Sequence, residues 1–191
     1  MQTRNGSASE ANEIEVLASH IFADSLELNG VVTDEASYPA QNQEGVASVL
    51  KSGHQSLHLA GVKNVADGRG AVAQVIARDF LGDHDAHAGN YIVGPKGLIV
   101  SLDFGRSFNK GISKQRPSSF MDILGEFGSS ETIAPMLDRI RSFTDQDIDA
   151  MVEDAGTHIR DWNDEKSKKF QSVLRYNRNL MTQINPYAEY M

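Results

Sequence analysis

The stretch FLGDHDAHAGNY, residues 80–91, is followed a few residues later by GLIVSLDFGRSF, residues 97–108. The first stretch gathers carboxylate and imidazole side chains beside an Asn and two glycines, with apolar residues at both ends. The second is a short apolar run that ends in Asp103. Together they decide the predicted fold, because a helix leads into the polar loop and a strand pair leads out of it.

The helix is predicted from the periodicity of the residues before the loop. Val72, Val75, Ile76 and Phe80 fall on one face of a 3.6-residue period. Gly82 then closes the pattern, as glycine often does at a helix carboxyl end. A helix from about Ala71 therefore delivers the chain into the polar loop.

An antiparallel hairpin is predicted after the loop. Two β-branched apolar runs, YIV and LIVSL, are joined by a Gly-Pro-Lys-Gly sequence at residues 94–97, which suits a tight turn. If Val93 lies opposite Leu98, Asn90 comes opposite Ser101, and Asp103 lies at the same end of the ladder. The hairpin thus predicts that Asn90 and Asp103 are close in space.

The rest of the chain predicts an α+β, mostly helical fold. Residues 1–12 are polar and are expected to be a flexible start. Residues 13–70 are expected to be a reduced or irregular amino-terminal segment, with a helix near Ile14–Phe22 and a short one near Val46–Leu50. Residues 71–191 are expected to form the main lobe. Its later helices are predicted at SFMDILGEF (119–127), ETIAPMLDRIRSF (131–143), DQDIDAMVEDA (145–155, after a Thr144 cap) and KSKKFQSVLRYNRNLMTQI (166–184).

Composition excludes several classes of function. The chain has 191 residues, 40% of them apolar, enough for one compact core. A net charge of -8 and a pI near 5.2 argue against a nucleic-acid partner, which would need clustered cations. Without cysteine there are no disulfides or thiolate ligands. No apolar run is long enough to cross a membrane, so we expect a protein that is not transmembrane and is soluble in the cytoplasm or secreted into a host cell.

The order of the polar groups is typical of phosphoryl transfer. That reaction needs a carboxylate that orients the acceptor hydroxyl and oxygen ligands for Mg²⁺. In kinases a catalytic Asp precedes a metal-binding Asn by five positions, and a second metal-binding Asp lies beyond a hairpin in a D-F-G triplet. This chain has Asp85, Asn90, the hairpin, and then Asp103-Phe104-Gly105.

The loop at residues 80–90 is similar to the G-N-T-D-x-H-x-x-N loop of HipA-like kinases and to the related loop of phosphoinositide 3- and 4-kinase-like enzymes. It also resembles the H-G-D-x-H-x-x-N loop of aminoglycoside and choline kinases. The resemblance implies a kinase-like carboxy-terminal lobe with a catalytic-loop hairpin, ATP and Mg²⁺ as nucleotide and metal, and a hydroxyl of a protein or lipid as the acceptor. It also implies a bacterial toxin or effector kinase. The implied roles are Asp85 as catalytic base, His87 as a catalytic-loop residue that orders the loop, and Asn90 and Asp103 as metal and nucleotide ligands.

The amino-terminal part departs from the kinase pattern. A kinase amino-terminal lobe supplies a strand Lys, an ion-paired helix Glu and a Gly-rich cover. Lys51 and Lys63 are the only lysines before the loop, and neither lies in a V-A-I-K-like strand. Either this lobe is drastically reduced, or a partner protein completes the site.

Two other functions remain open from the sequence. A non-catalytic kinase-like module would bind a partner protein and a nucleotide, which suits the thin amino-terminal part. A two-metal hydrolase would use mixed imidazole and carboxylate ligands for Zn²⁺ or Mn²⁺. Its ligands would be Asp83, His84, Asp85, His87 and Asp103.

Overall fold

The computed structural model describes residues 8–38, 43–48, 51–112 and 117–191. Helices make up 59% of the structure, with small antiparallel sheets, which confirms the predicted mostly helical α+β class. Within the described ranges, no helix is both long enough and apolar enough to cross a membrane.

The elements follow one another in a simple order. The first group consists of α1 (Ala8–His20), a π-helical turn (Ile21–Ser25), and strands β1 (Thr33–Tyr38), β2 (Gln43–Ser48) and β3 (Gln55–Ser56). The second consists of α2 (Leu57–Ala60), α3 (Gly68–Leu81), β4 (Tyr91–Val93) and β5 (Ile99–Ser101), with 3-10 turns at Val62–Asn64 and Ala88–Asn90. The last consists of α4 (Ser118–Phe127), α5 (Ser130–Ser142), α6 (Asp145–Gly156), α7 (Asp164–Gln183) and a 3-10 turn at Ala188–Tyr190.

The amino-terminal part is a helix packed on a two-stranded sheet. β1 and β2 pair antiparallel from Thr33 opposite Ser48 to Tyr38 opposite Gln43, and α1 packs against both strands. The helix predicted near Val46–Leu50 is therefore wrong, because Val46 lies in β2; residues 49 and 50 lie outside the described ranges. α1 begins at Ala8, inside the predicted flexible start, whose first seven residues are likewise outside those ranges.

Helix α3 forms the centre of the carboxy-terminal part. The predicted apolar face of Val72, Val75, Ile76 and Phe80 is fully buried, and α3 packs against α4, α5 and α7. Burial of each of these four side chains stabilises the folded chain by about 1.5–3 kcal/mol relative to leaving it in water. Helices α5, α6 and α7 begin at capping residues, among them the predicted Thr144, whose side chain accepts a hydrogen bond from the Asp147 amide.

The β4–β5 hairpin is present, but the predicted register is wrong by one residue. Val93 lies opposite Ile99, so Asn90 lies level with Leu102 instead of Ser101. The turn causes the difference: Gly97 donates to the Gly94 carbonyl and has a positive φ of 73°, and Gly94 donates to the Leu98 carbonyl. This turn takes one more residue than the predicted one.

Gly82 is the residue that allows the chain to leave α3. It has a φ of 66°, and its amide donates to the carbonyls of Arg78 and Asp79. A Cβ there would lie 2.0 Å from the Asn109 carbonyl oxygen, a contact that only a backbone shift relieves.

We expect Gly82→Ala to lower the free energy of unfolding by about 2 kcal/mol or more, because left-handed backbone strain and steric overlap add. Urea denaturation measures the change. The matched control is Gly125→Ala in α4, where a Cβ meets nothing within 4 Å. That change is expected to stabilise by about 0.5–1 kcal/mol. Equal effects at the two positions would contradict the expectation.

Candidate active site

A buried ion pair anchors the loop that follows α3. The Arg78 guanidinium on α3 pairs with the Asp83 carboxylate, and both side chains are almost completely buried. Burial raises the pKa of Asp83, whereas the positive charge of Arg78 acts against this rise. The other Asp83 oxygen accepts a hydrogen bond of 3.0 Å from the amide of Asp85. Asp83 therefore ties the backbone at Asp85 to Arg78 in the core.

The same guanidinium joins the loop to the hairpin. It donates to the Leu102 carbonyl, lies 3.3 Å from the Asn90 carbonyl oxygen, and lies 3.5 Å from that of Asp103. It also lies over the ring of Phe104, 4.4 Å from its centroid. One buried cation thus holds together the backbone around two of the predicted site residues.

Asp85 faces outward above this anchor. Its carboxylate is 40% exposed and lies 3.2 Å from Nε of Arg106, the residue directly after the D-F-G triplet. Its carbonyl accepts a 2.9 Å hydrogen bond from Nδ2 of the buried Asn90. The bond orients the Asn90 amide, and leaves its Oδ1 available for another ligand. Asp85, Asn90 and the segment after Asp103 are therefore brought together, as the sequence spacing predicts.

The two histidines of the loop have local roles. His87 Nδ1 accepts a hydrogen bond of 3.0 Å from the Gly89 amide and caps the 3-10 turn that carries Asn90. His84 Nε2 lies 3.0 Å from the Gly111 carbonyl oxygen. His87 thus caps the turn that carries Asn90, and its catalytic role stays a prediction.

Asp103 follows β5 and is turned out of the core. The Leu102 amide donates to the Asn90 carbonyl at 2.8 Å, so Asp103 comes directly after the residue level with Asn90. Asp103 has a φ of 53°, and its exposed carboxylate lies 3.4 Å from the Gly105 amide. Phe104 is fully buried, with its ring 4.9 Å from that of Phe22. Burial of Phe104 on one side of the chain directs Asp103 to the other.

A cavity of about 670 Å³ opens beside Asp103, between the amino-terminal sheet and the β4–β5 hairpin. The amino-terminal elements contribute Glu15, Thr33 and Lys51, and the hairpin contributes Ile92 and Asp103. The remaining lining residues are Ala11, Asn12, Val31, Val46, Ser48, His54, Leu102 and Gly105.

Glu15 connects α1 to the D-F-G segment. Its carboxylate accepts hydrogen bonds from the Phe104 amide at 2.5 Å and from the Thr33 hydroxyl at 3.4 Å. Burial, with the nearby charge of Asp103 in second place, raises the pKa of Glu15 from 4.5 to about 7. The carboxylates of Glu15 and Asp103 thus lie close enough for their charges to interact across the cavity.

The sequence reasoning did not identify Glu15 or Lys51 as site residues. Glu15 had a detectable signal: on α1 it lies three residues before Ala18, which is fully buried. Lys51 had none, because only the tertiary fold brings it to the cavity.

The raised pKa of Glu15 predicts a pH-dependent stability. Between pH 4.5 and 7 the folded chain retains a proton that the unfolded chain has released, so the free energy of unfolding falls as the pH rises. Glu15→Gln removes the titrating carboxyl, and with it this fall in the free energy of unfolding. Relative to the natural chain, we expect the variant to gain about 1–2 kcal/mol between pH 5 and pH 8, less than the full linkage value because the carboxyl is partly exposed.

Urea denaturation of both chains at pH 5 and pH 8 measures the difference in their free energies of unfolding. Other groups that titrate equally in the two chains cancel in this difference. Glu126→Gln, at an exposed position on α4, is the control and is expected to show no such change. A Glu15→Gln difference that is the same at pH 5 and pH 8 would contradict the shift.

The ligands proposed for a two-metal hydrolase are engaged in other contacts. Asp83 is ion-paired, and one ring nitrogen of His84 and one of His87 have backbone partners. Among the described residues, the one group of three or more imidazole and carboxylate ligands whose ligand atoms lie within 4.8 Å of one another is elsewhere, at His20, Asp34 and His158. These contacts weigh against the hydrolase.

No protein-family model and no curated protein sequence matches the chain. Its fold is similar to a solved structure, the amino-terminal 618-residue fragment of LepB from Legionella pneumophila, with a TM-score of 0.53 and 14% sequence identity. The match covers 98% of this chain and 43% of that fragment, so the chain spans less than half the length of its structural neighbour. At this identity the likeness concerns the fold alone.

Proposed function

We propose that the chain is an ATP- and Mg²⁺-dependent phosphotransferase of the atypical kinase kind that acts on a hydroxyl group of a protein or lipid. One observation carries the proposal: Asn90 bonds the Asp85 backbone, Arg106 pairs with the Asp85 carboxylate, and Asp103, directly after the residue level with Asn90, lines the cavity that neither Asp85 nor Asn90 lines. The grouping has the order and spacing of a kinase catalytic loop and D-F-G segment.

The donor atoms fit the proposed metal. Mg²⁺ prefers carboxylate and amide oxygens, which Asp103 and the free Oδ1 of Asn90 supply. Bound there, the metal would neutralise charge on the phosphates of ATP. Lys51, on the amino-terminal side of the same cavity, is the cation we assign to the phosphates, and Glu15 links α1 to the D-F-G backbone. A reduced amino-terminal lobe in this chain is therefore our proposal, in place of a lobe supplied by a partner.

Asp85 is the group we assign to the acceptor. The acceptor oxygen would form a bond to the γ-phosphorus as the bond between that phosphorus and the β,γ-bridging oxygen breaks, which releases ADP. The hydroxyl proton would pass to the Asp85 carboxylate, which is exposed enough to meet a second substrate. The bacterial effector context and the cellular compartment remain predictions from the sequence resemblance.

The test is transfer of labelled phosphate from ATP with Mg²⁺, first to the chain itself and then to added protein and phosphoinositide acceptors. The natural chain is compared with Asp85→Ala and Asp103→Ala. Transfer that requires Mg²⁺ and both aspartates supports the proposal. Equal labelling in all three chains overturns it, and nucleotide binding without transfer favours the non-catalytic module instead.

A further inference from the structure

A second side-chain cluster lies away from the candidate active site. His20 at the end of α1, Asp34 on β1 and His158 after α6 each offer one ligand atom, and these atoms all lie within 4.8 Å of one another. Nε2 of His20 is 3.0 Å from Oδ1 of Asp34, and Nδ1 of His158 is 3.7 Å from the same oxygen. Three segments that are remote in sequence therefore converge on one carboxylate oxygen.

The separations suit a tetrahedral ion. Ligand atoms about 2.0–2.1 Å from a tetrahedral Zn²⁺ are roughly 3.3 Å from one another. The two measured distances, 3.0 and 3.7 Å, lie on either side of that value. The imidazole rings of His20 and His158 are stacked, with centroids 3.6 Å apart and planes 15° apart, so binding of one ion by both requires each ring to turn about its side-chain bonds until the in-plane lone pairs converge.

Asp24 gives His20 the orientation of a metal ligand. Its carboxylate lies 2.8 Å from Nδ1 of His20, on the opposite side of the ring from Asp34. A protonated imidazole donates to both carboxylates, whereas a neutral imidazole has one N–H group, so that two acceptors face each other on one side of the ring, which is a conflict. A cation between Nε2 and Asp34 removes this conflict, since Nδ1–H then donates to Asp24, as in the carboxylate–histidine–metal arrangements of known sites.

We propose that His20, Asp34 and His158 bind one divalent transition-metal ion, with Zn²⁺ the best fit, and that Asp24 orients His20. Two imidazoles and one carboxylate favour Zn²⁺ over the hard Mg²⁺. Asp34 is 64% exposed and His158 is 42% exposed, so water can complete the coordination and the ion can enter from solvent. The ion would fasten the α1–β1 unit to the carboxy-terminal helices, near the point where the Arg160 amide donates to Glu35.

Calorimetric titration of the full metal-free chain with Zn²⁺ tests the proposal. We expect one ion per chain and a melting temperature raised by about 5–10 °C at a hundredfold excess over the dissociation constant. Asp34→Asn and His158→Ala, both at partly exposed positions, are expected to fold and to bind at least about tenfold more weakly.

Two further variants serve as controls. His58→Ala changes an exposed histidine on α2, and Asp103→Asn changes the proposed Mg²⁺ site; both are expected to bind Zn²⁺ as the natural chain does. Zn²⁺ binding by Asp103→Asn therefore tests the metal site independently of the proposed phosphotransferase function, which is tested by phosphate transfer from ATP. Absence of stoichiometric binding, or equal affinity in Asp34→Asn, His158→Ala and the natural chain, overturns the proposal.

Discussion

Asp85→Asn is expected to slow Mg²⁺-dependent phosphate transfer from ATP by about 10²- to 10⁴-fold, the usual contribution of a positioned general base. The amide that replaces the carboxylate keeps its size but cannot take the hydroxyl proton. Folding should be unaffected, because the pair with the 61% exposed Arg106 is a surface contact worth about 1 kcal/mol or less. The backbone N–H of residue 85 still donates to the Asp83 carboxylate.

Asp103→Asn is expected to fail in a different way. If Asp103 is a metal ligand, its loss weakens binding of the Mg²⁺–nucleotide complex, so KM for ATP rises and kcat/KM falls. Asp85→Asn should leave nucleotide affinity nearly unchanged and lower kcat, because the base acts only on the reacting hydroxyl. Steady-state kinetics together with nucleotide titration of the two variants distinguish these roles.

Asp122→Asn provides the matched control, since Asp122 is exposed on α4 and the substitution makes the same change of charge. It should retain the rate and the nucleotide affinity of the natural chain. If Asp85→Asn and Asp122→Asn transfer phosphate equally fast, the role assigned to Asp85 is wrong. If both active-site variants lower kcat without a change in ATP affinity, the metal role of Asp103 is wrong.

The sequence predicts the carboxy-terminal part well because its signals are local. Periodic apolar residues and capping side chains specify α3 and the later helices within a few residues of their observed bounds. The hairpin between Asn90 and Asp103 is specified by two β-branched runs and the glycines between them. The grouping of Asp85, Asn90 and Asp103 follows from these elements, since a short hairpin leaves the two ends of its strands side by side.

The amino-terminal part could not be predicted in the same way. β1 reads TDEASY and β2 reads QEGVAS, and neither shows the apolar alternation of a half-buried strand. What holds them is pairing with each other and packing on α1, which are tertiary contacts. The same contacts bring Glu15 and Lys51 to one cavity, although 35 positions in between separate them in the sequence.

Arg78→Met is expected to produce the largest loss of stability, about 3–5 kcal/mol, because it leaves the Asp83 carboxylate buried without its countercharge. Methionine fills much of the volume of the arginine stem, so the loss of charge and hydrogen bonds, and not a cavity, dominates the effect. The guanidinium also donates hydrogen bonds to the carbonyl oxygens of Asn90 and Leu102. The substitution leaves both oxygens with fewer donors.

The double variant Arg78→Met/Asp83→Asn separates the charge from the hydrogen bonds. Asparagine carries no charge and can still accept from the Asp85 amide, so we expect the double variant to be more stable than Arg78→Met alone. The recovery of stability should be incomplete, since the carbonyls of Asn90 and Leu102 still lack the Arg78 donor. Burial raises the pKa of Asp83, so the cost of Arg78→Met alone should also shrink as the pH is lowered and this carboxylate is protonated.

The matched control is Lys169→Ala, which removes an exposed partner of Glu10 at the surface of α7 and is expected to cost less than about 1 kcal/mol. Urea denaturation of the four chains, each at pH 5 and pH 8, measures all the differences. A loss in Arg78→Met no larger than that in Lys169→Ala would show that the buried pair does not hold the loop. A double variant no more stable than Arg78→Met would show that the unpaired charge of Asp83 is not the source of the loss.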